Sequence, residues 1–215
     1  MRSGRRTHSI VKPGRSEDAL ALASEARKVF DRLGADSIRV LGGSAGADPG
    51  SLTFVLEAAN ATELGRVIDR YLTDSDALSV QSRLTAPESP MEVKEITAYS
   101  VLELGLPQRP SAPVGSSVVW RANVGRLEDC LQLATQVAKI EMRLGGSRSR
   151  VAAIESGLLA GCNVSTTENE TFEAQGAMRD AMSTDSEWLQ IAARLTGADA
   201  PGKIVRIVDY FEPHI

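Results

Sequence analysis

Histidine, cysteine and aromatic residues are scarce in this chain of 215 residues. The two histidines are His8 and His214, and no group of histidine, cysteine and carboxylate residues has the spacing of a metal site. Two cysteines, Cys130 and Cys162, are too few for a disulfide framework, and we expect both to be buried, inert thiols. The glycine motifs that bind dinucleotides or phosphates are also missing. The sequence therefore predicts no metal and no cofactor.

Long apolar runs and an excess of basic charge are missing as well. No run of 18 apolar residues could span a membrane, and the first twelve residues lack the apolar stretch of a secretory signal. The formal net charge is −4 and the pI is about 5.3, whereas a nucleic-acid-binding domain normally needs a basic face. We expect a cytoplasmic protein without membrane or nucleic-acid partners.

The most informative feature of the sequence is an internal repeat with an offset of 111 positions and no gap. Gly14-Arg15 recurs at Gly125-Arg126, and Thr73-Asp74-Ser75 recurs at Thr184-Asp185-Ser186. We define repeat 1 as residues 7–104 and repeat 2 as residues 117–215. Residues 1–6 are expected to be a disordered basic tail, and the proline-rich residues 105–116 are expected to form a linker.

Each repeat shows the pattern strand-helix-strand-strand-helix-strand. In repeat 1 we expect strands at residues 7–12, 37–41, 52–57 and 91–102, with a glycine-rich hairpin loop at 42–50. Ser16 is the predicted N-cap of the first helix, and Asn60 with Glu63 forms the predicted capping pair of the second. Thr184 and Glu187 form a capping box where the second helix of repeat 2 is interrupted. This order is that of a ferredoxin-like α+β unit.

Two ferredoxin-like units can cover each other's open sheet faces. The predicted fold class is therefore α+β, with two tandem βαββαβ repeats whose antiparallel sheets pack into one eight-stranded barrel and whose helices lie outside. We expect one chain to supply the complete barrel, either as a monomer with a pseudo-dimeric barrel or as a homodimer.

The repeat order, the split second helix and the stretch from Asp185 to Leu189 resemble the dimeric α+β barrel superfamily. That superfamily includes antibiotic-biosynthesis monooxygenases, NIPSNAP-like and EthD-like proteins, polyketide cyclases and haem-degrading enzymes. The resemblance implies a pocket between sheet and helices in each half for a small, often aromatic or polyketide-like ligand. Haem-binding relatives need an axial histidine on a helix, and no predicted helix here has one.

Several candidate site residues occupy matching positions of the two repeats. Each has a functional and a structural interpretation. The arginines could bind a carboxylate or phenolate, or lie on a solvent-facing edge. The tyrosines could donate to a ligand carbonyl or belong to the core. The glutamates could act as general bases or end a strand in solvent. The matched pairs are Arg39 with Arg150, Tyr99 with Tyr210, and Glu57 with Glu168.

Other candidates come from the first strand of each repeat, where the two sequences differ. Trp120, Arg121 and Asn123 replace Ser9, Ile10 and Lys12. The resemblance implies pocket residues of the Trp, Asn and Arg types, and strand alternation places Trp120 opposite the other two. We assign catalytic roles to Arg121, Asn123 and Tyr210. We assign ligand binding to His8, Arg39, Tyr99, Trp120 and Arg150.

Two functions remain open at the sequence level. The first is a cofactor-independent monooxygenase, cyclase or isomerase that acts on an aromatic or polyketide-like metabolite. The second is a non-catalytic ligand-binding or structural barrel, which the small number of aromatic residues favours. An effector module of a transcriptional regulator is a poor third, because no helix-turn-helix pattern precedes the repeats.

Overall fold

A computed structural model describes residues 1–46, 50–107 and 109–215. Repeat 1 contributes four strands, β1 (Ser3–Val11), β2 (Ser37–Gly46), β3 (Ser51–Ala58) and β4 (Met91–Val101), and three helices, α1 (Ser16–Arg32), α2 (Ala61–Tyr71) and α3 (Ser75–Thr85). Repeat 2 contributes β5 (Val114–Ala122), β6 (Arg148–Ile154), β7 (Asn163–Asn169) and β8 (Gly202–Phe211), with α4 (Leu127–Arg143), α5 (Phe172–Thr184) and α6 (Ser186–Thr196). Helices α1 and α4, and likewise α3 and α6, begin and end 111 positions apart.

All eight strands form one closed antiparallel barrel in the order β1-β3-β2-β8-β5-β7-β6-β4. The barrel closes where the repeats meet, through the pairs β2–β8 and β4–β6. Gly43 lies opposite Tyr210 in one seam, and Ile154 lies opposite Tyr99 in the other. Gly43 matches Ile154 and Tyr99 matches Tyr210 at the repeat offset, so the two seams have equivalent registers. A single chain therefore supplies the complete barrel, as the sequence predicted.

Strand alternation separates the barrel interior from the helix-covered outer face. On β3, Leu52, Phe54 and Leu56 face the helices and pack in a core with the apolar faces of α1, α2 and α3. Thr53 and Val55 face the interior of the barrel. Each repeat therefore has a helix-covered layer of its own, and the barrel interior is shared between the repeats.

Helix capping follows the prediction in part. Asn60 caps α2 by accepting a hydrogen bond from the backbone N–H of Glu63 at 3.0 Å. Ser16 is the first helical residue of α1 rather than its N-cap, and no side chain caps that helix. Helix α6 is capped by Asp185, which accepts from the N–H of Trp188 at 2.9 Å, and not by the predicted Thr184. Aspartate is at least as good an N-cap as threonine.

The starts of both repeats differ from the predicted boundaries. Residues 3–6, expected in a disordered tail, belong to β1, where they pair with β3 on one side and β4 on the other. Backbone pairing on both edges explains this order, even though Arg5 and Arg6 are basic. Strand β5 begins at Val114, inside the predicted linker. Strand β2 extends to Gly46, and residues 47–49 of the predicted hairpin loop lie outside the described residues, as does Gln108 of the linker.

No helix in the described ranges is both long and apolar enough to cross a membrane.

Candidate functional site

The described residues line a cavity inside the barrel and a pocket beneath the helices of each repeat. The central cavity, of about 80 Å³, lies inside the barrel and is lined by residues of both repeats. The repeat-1 pocket, of about 240 Å³, lies between the sheet of repeat 1 and helices α1, α2 and α3. The repeat-2 pocket, of about 140 Å³, lies between the sheet of repeat 2 and helices α4 and α6. The predicted site residues are divided among these places.

One matched set forms a buried cluster across the seam between β4 and β6. The Tyr99 hydroxyl donates a hydrogen bond to Glu57 Oε1 at 2.6 Å, and the Arg150 guanidinium donates to the same oxygen. Burial alone would raise the pKa of Glu57, but the Arg150 charge and the hydrogen bonds lower it below the usual value. The cluster therefore joins two residues of repeat 1 to an arginine of repeat 2.

The other matched set forms the reciprocal cluster. Arg39 of repeat 1 donates to Glu168 Oε1 at 2.5 Å, and Tyr210 donates to the same oxygen at 3.1 Å. The remaining nitrogens of Arg39 donate to the carbonyl of Ala112 at 2.7 Å and to Glu212 at 2.9 Å. Every guanidinium nitrogen of Arg39 therefore bonds a group of repeat 2 or of the segment leading into it.

Two glycines make room for the tyrosines of these clusters. A Cβ atom at Gly4 would lie 2.3 Å from Cζ of Tyr99, and one at Gly115 would lie 2.4 Å from the Tyr210 hydroxyl. Gly4 and Gly115 are themselves 111 positions apart. The sequence analysis did not single them out, although the repeat offset could have identified them.

The clusters are poorly suited to proton transfer near neutral pH. Burial, followed by the neighbouring carboxylate, raises the pKa of Tyr99 and of Tyr210 above the usual value. The arginine charges lower the pKa of Glu57 and of Glu168. The tyrosines stay protonated and the glutamates stay ionised, so we assign these groups to closure of the barrel.

His8 also faces the barrel interior. It is buried, lines the central cavity and shares a hydrogen bond of 3.1 Å between Nδ1 and the Thr53 hydroxyl. Tyr99, Arg150 and Tyr210 line the same cavity, so four predicted site residues meet there. The cavity has about the volume of two or three water molecules.

Arg121 and Asn123 lie away from the repeat-2 pocket. Arg121 is exposed, and its Nε donates to the Cys162 sulfur at 3.3 Å. Asn123 follows β5 and donates from Nδ2 to the Ala200 carbonyl at 2.8 Å. Trp120 points to the other face, as alternation predicted, and lines the repeat-2 pocket. Its indole N–H donates to the Ser165 hydroxyl at 3.0 Å.

The repeat-2 pocket contains a carboxylate that the sequence analysis missed. Glu141 lies on the last turn of α4, and the buried Thr167 donates a hydrogen bond to its Oε2. Burial raises the pKa of Glu141 to about 7, while Thr167 and Arg179 oppose this shift. The residue as a whole is half-buried, but its carboxylate lies against the sheet. Near neutral pH both protonation states of Glu141 are populated.

The walls around Glu141 combine indole rings with hydroxyl groups. Both tryptophans of the chain, Trp120 and Trp188, line the pocket, as do the hydroxyls of Ser165 and Thr167. Lys203 is exposed and is the other charged residue among the described lining residues. The pocket therefore offers a proton-transfer group, flat apolar surfaces and a cation at its mouth.

Repeat 1 lacks this chemistry at the equivalent positions. Phe30 stands where repeat 2 has Glu141, and Phe54 and Leu56 stand where it has Ser165 and Thr167. The two pockets occupy equivalent places, but the side chains at these positions are polar in the repeat-2 pocket and apolar in the repeat-1 pocket. In the parts of the chain that the structure describes, no group of three or more histidine, cysteine or acidic residues could hold a metal ion.

Sequence comparisons find no relatives, whereas structural comparison does. No protein-family model matches the sequence, and no curated protein is similar to it. A candidate monooxygenase from Fusobacterium nucleatum superposes with a TM-score of 0.65 at 6% identity, over 98% of this chain and 92% of that one. An anthrone oxidase-like protein superposes with a TM-score of 0.61 at 12% identity, over 99% of this chain and 91% of that one. A mutant chlorite dismutase from Candidatus Nitrospira defluvii superposes with a TM-score of 0.55 at 9% identity, over 99% of this chain and 92% of that one.

At these identities the likeness concerns the fold. The neighbouring structures are ferredoxin-like proteins of the dimeric α+β barrel type. Their coverage extends over almost the whole of both chains, so the two-repeat arrangement is shared and not only one unit of it. This chain therefore has the fold of the dimeric α+β barrel proteins, with both halves of the barrel supplied by one polypeptide.

Proposed function

We propose that repeat 2 carries a cofactor-independent active site, of the monooxygenase, cyclase or isomerase type, that acts on an aromatic or polyketide-like metabolite. The observation that carries this proposal is Glu141, whose pKa is raised to about 7 inside the repeat-2 pocket. A general base is most effective when its pKa lies near the working pH. A perturbed carboxylate in a cleft is also a recognised indicator of a functional site.

The proposed chemical step is removal of a proton from a phenol or an enolisable ketone. The Glu141 carboxylate accepts the proton, and the substrate keeps the electron pair as a phenolate or enolate. Such an anion can react with molecular oxygen, attack a carbonyl of its own chain or be reprotonated at another carbon. Oxygenation, cyclisation and isomerisation therefore share this first step, and Glu141 serves all three.

The remaining residues of the pocket fit this step. A cavity of about 140 Å³ is close to the volume of about 150 Å³ that accommodates benzene, so one ring of the substrate can be enclosed. Trp120 and Trp188 offer flat surfaces to that ring. The rest of a polyketide-like molecule would extend through the mouth, where the Lys203 ammonium would attract the anion that forms.

The test is a screen of phenols, naphthols and 1,3-diketones for oxygen uptake and for substrate loss with the purified full-length chain. Glu141→Gln should lower turnover of an accepted compound by about 100-fold or more, which is the usual contribution of a general base. Glu128→Gln on the exposed start of the same helix is the matched control. Unchanged turnover in Glu141→Gln would remove the proposed role of Glu141, and no turnover of any of these compounds by the wild-type chain would favour a non-catalytic binding barrel.

A further inference from the structure

The larger of the two helix-covered cavities has no role in the chemistry proposed for repeat 2. The repeat-1 pocket encloses about 240 Å³, compared with about 150 Å³ for an engineered cavity that binds benzene. It therefore has room for a body of about two fused rings. Because Phe30 replaces Glu141 at the equivalent position, it has no comparable group for proton transfer.

Aromatic side chains form one wall of this pocket. The ring of Phe30 stacks on Tyr71 with centroids 4.8 Å apart and planes 2° apart. Phe30 also contacts Phe54 in a tilted arrangement with centroids 5.5 Å apart. Three of the chain's few aromatic rings are therefore gathered here, beside the apolar faces of the helices. Such a surface favours a flat apolar ligand.

The sheet side of the pocket carries a polar stripe on β1, beside Phe54 of β3. Arg5, Thr7 and Ser9 are alternate residues of β1, so their side chains share the face that lines the pocket. Arg5 is the only charged residue among the described lining residues, and its charge is close enough to Tyr71 to influence that hydroxyl. Arg5 forms no ion pair with any residue in the described ranges. The equivalent stripe in repeat 2, Ser116, Val118 and Trp120, is uncharged.

We propose that the repeat-1 pocket is a second, non-catalytic ligand site that binds an apolar monocarboxylate of about the size of a bicyclic aromatic acid. The Arg5 guanidinium binds the carboxylate through two parallel hydrogen bonds, and the rings of Phe30, Phe54 and Tyr71 contact the apolar body. One unopposed positive charge matches a monoanion, whereas a phosphate monoester would bring a second negative charge. This inference concerns a different cavity and does not depend on the function proposed for repeat 2.

The test is isothermal titration calorimetry of the full-length chain with 2-naphthoate and with 2-naphthylmethanol, which have the same ring system and differ in charge. We expect the acid to bind at least about tenfold more tightly than the alcohol, because a charge-assisted hydrogen bond contributes more than a neutral one. Arg5→Met should weaken acid binding about 10- to 100-fold and change alcohol binding less than about threefold.

Further variants keep the result interpretable. Arg5→Lys should retain part of the preference for the acid, since it keeps the charge and loses the planar fork. Ala26→Leu, which fills the cavity beside Phe30, should weaken binding of both compounds. Lys28→Met on the exposed face of α1 is the control and should change neither.

Three outcomes would overturn the proposal. They are the absence of binding to the wild-type chain, equal affinity for acid and alcohol, and acid binding that survives Arg5→Met but is lost in Glu141→Gln. The last would place the acid in the repeat-2 pocket. Conversely, loss of turnover in Glu141→Gln with unchanged calorimetry would separate the two sites, so failure of one proposal is distinguishable from failure of the other.

Discussion

At the scale of single residues, three matched pairs of polar side chains lie apart from the pairs that give the two pockets their different chemistry. The matched arginines, glutamates and tyrosines bond to one another across the seams of the barrel. The pockets instead contain differing pairs, such as Phe30 and Glu141 or Ser9 and Trp120. These matched pairs therefore serve barrel closure, and these differing pairs distinguish the two cavities.

Replacement of Glu141 should change stability in a pH-dependent way. Its pKa is raised in the folded state to about 7 from an ordinary 4.5, so between these values the folded chain binds more protons than the unfolded chain. Wild-type stability should therefore fall as pH rises through this range. Glu141→Gln removes this titration. The free energy of unfolding of the variant, taken relative to wild type, should therefore be roughly 1–3 kcal/mol higher at pH 8.5 than at pH 5, as measured by urea denaturation.

Glu128→Gln provides the reference for this comparison, because that residue is exposed on the same helix. If the change in the free energy of unfolding between pH 5 and pH 8.5 is the same in Glu141→Gln as in Glu128→Gln, the Glu141 carboxyl is solvated like an ordinary surface glutamate.

The glycine beside Tyr99 offers a second test at this scale. Gly4→Ala would place a Cβ atom 2.3 Å from the tyrosine ring and should cost about 1–3 kcal/mol of stability, as overpacking usually does. Gly65→Ala in α2, where a Cβ atom would have no neighbour within 4 Å, should instead stabilise the protein by up to about 1 kcal/mol. Thermal and urea denaturation measure both, and a harmless Gly4→Ala would contradict the tight packing of Tyr99 on β1.

At the scale of elements, the order and bounds of helices and strands follow closely from local patterns. Alternation on β3 and the capping pair of α2 were enough to place those elements. The start of β1 was missed because its pairing with β3 and β4 is not local, and two of its residues are arginines that face cavities. Glu141 was missed because a carboxylate on an amphipathic helix gives no sequence signal of burial.

The partners of the matched arginines could not be predicted either. Strand alternation puts Arg39 on the face opposite Ile38 and Val40, but it does not indicate which carboxylate Arg39 meets. That carboxylate, Glu168, lies 129 positions further along the chain and becomes a neighbour only when the barrel closes. The contact depends on the pairing of β2 with β8, which no local pattern specifies.

The seam between β4 and β6 should be sensitive to removal of one charge and less sensitive to removal of both. Arg150→Met leaves the buried Glu57 without its main cation and should cost about 3–5 kcal/mol of stability. The double variant Arg150→Met with Glu57→Gln should recover part of this loss, since no uncompensated charge stays buried. Urea denaturation of the two single variants and the double variant gives the coupling energy. Additive effects would contradict a direct interaction between the two side chains.

At the scale of the whole molecule, the two seams make each repeat the partner of the other. Each seam pairs the second strand of one repeat with the last strand of the other, and each is accompanied by one arginine–glutamate cluster. A repeat on its own would expose two unpaired strand edges and the interior face of its sheet. The fused chain avoids this exposure by internal pairing.

Because the clusters are reciprocal, repeat 1 alone should assemble with a second copy of itself. In such a dimer Arg39 of each copy would take the place of Arg150 against Glu57 of the other copy, since Arg39 and Arg150 occupy equivalent positions. Sedimentation velocity of residues 1–104 should therefore show a dimer at micromolar concentration. Arg39→Met should shift it towards monomer or aggregate, whereas Arg15→Met, at the exposed residue just before α1, should not. A folded monomer of residues 1–104 would show that the barrel seams are not required for the stability of a single repeat.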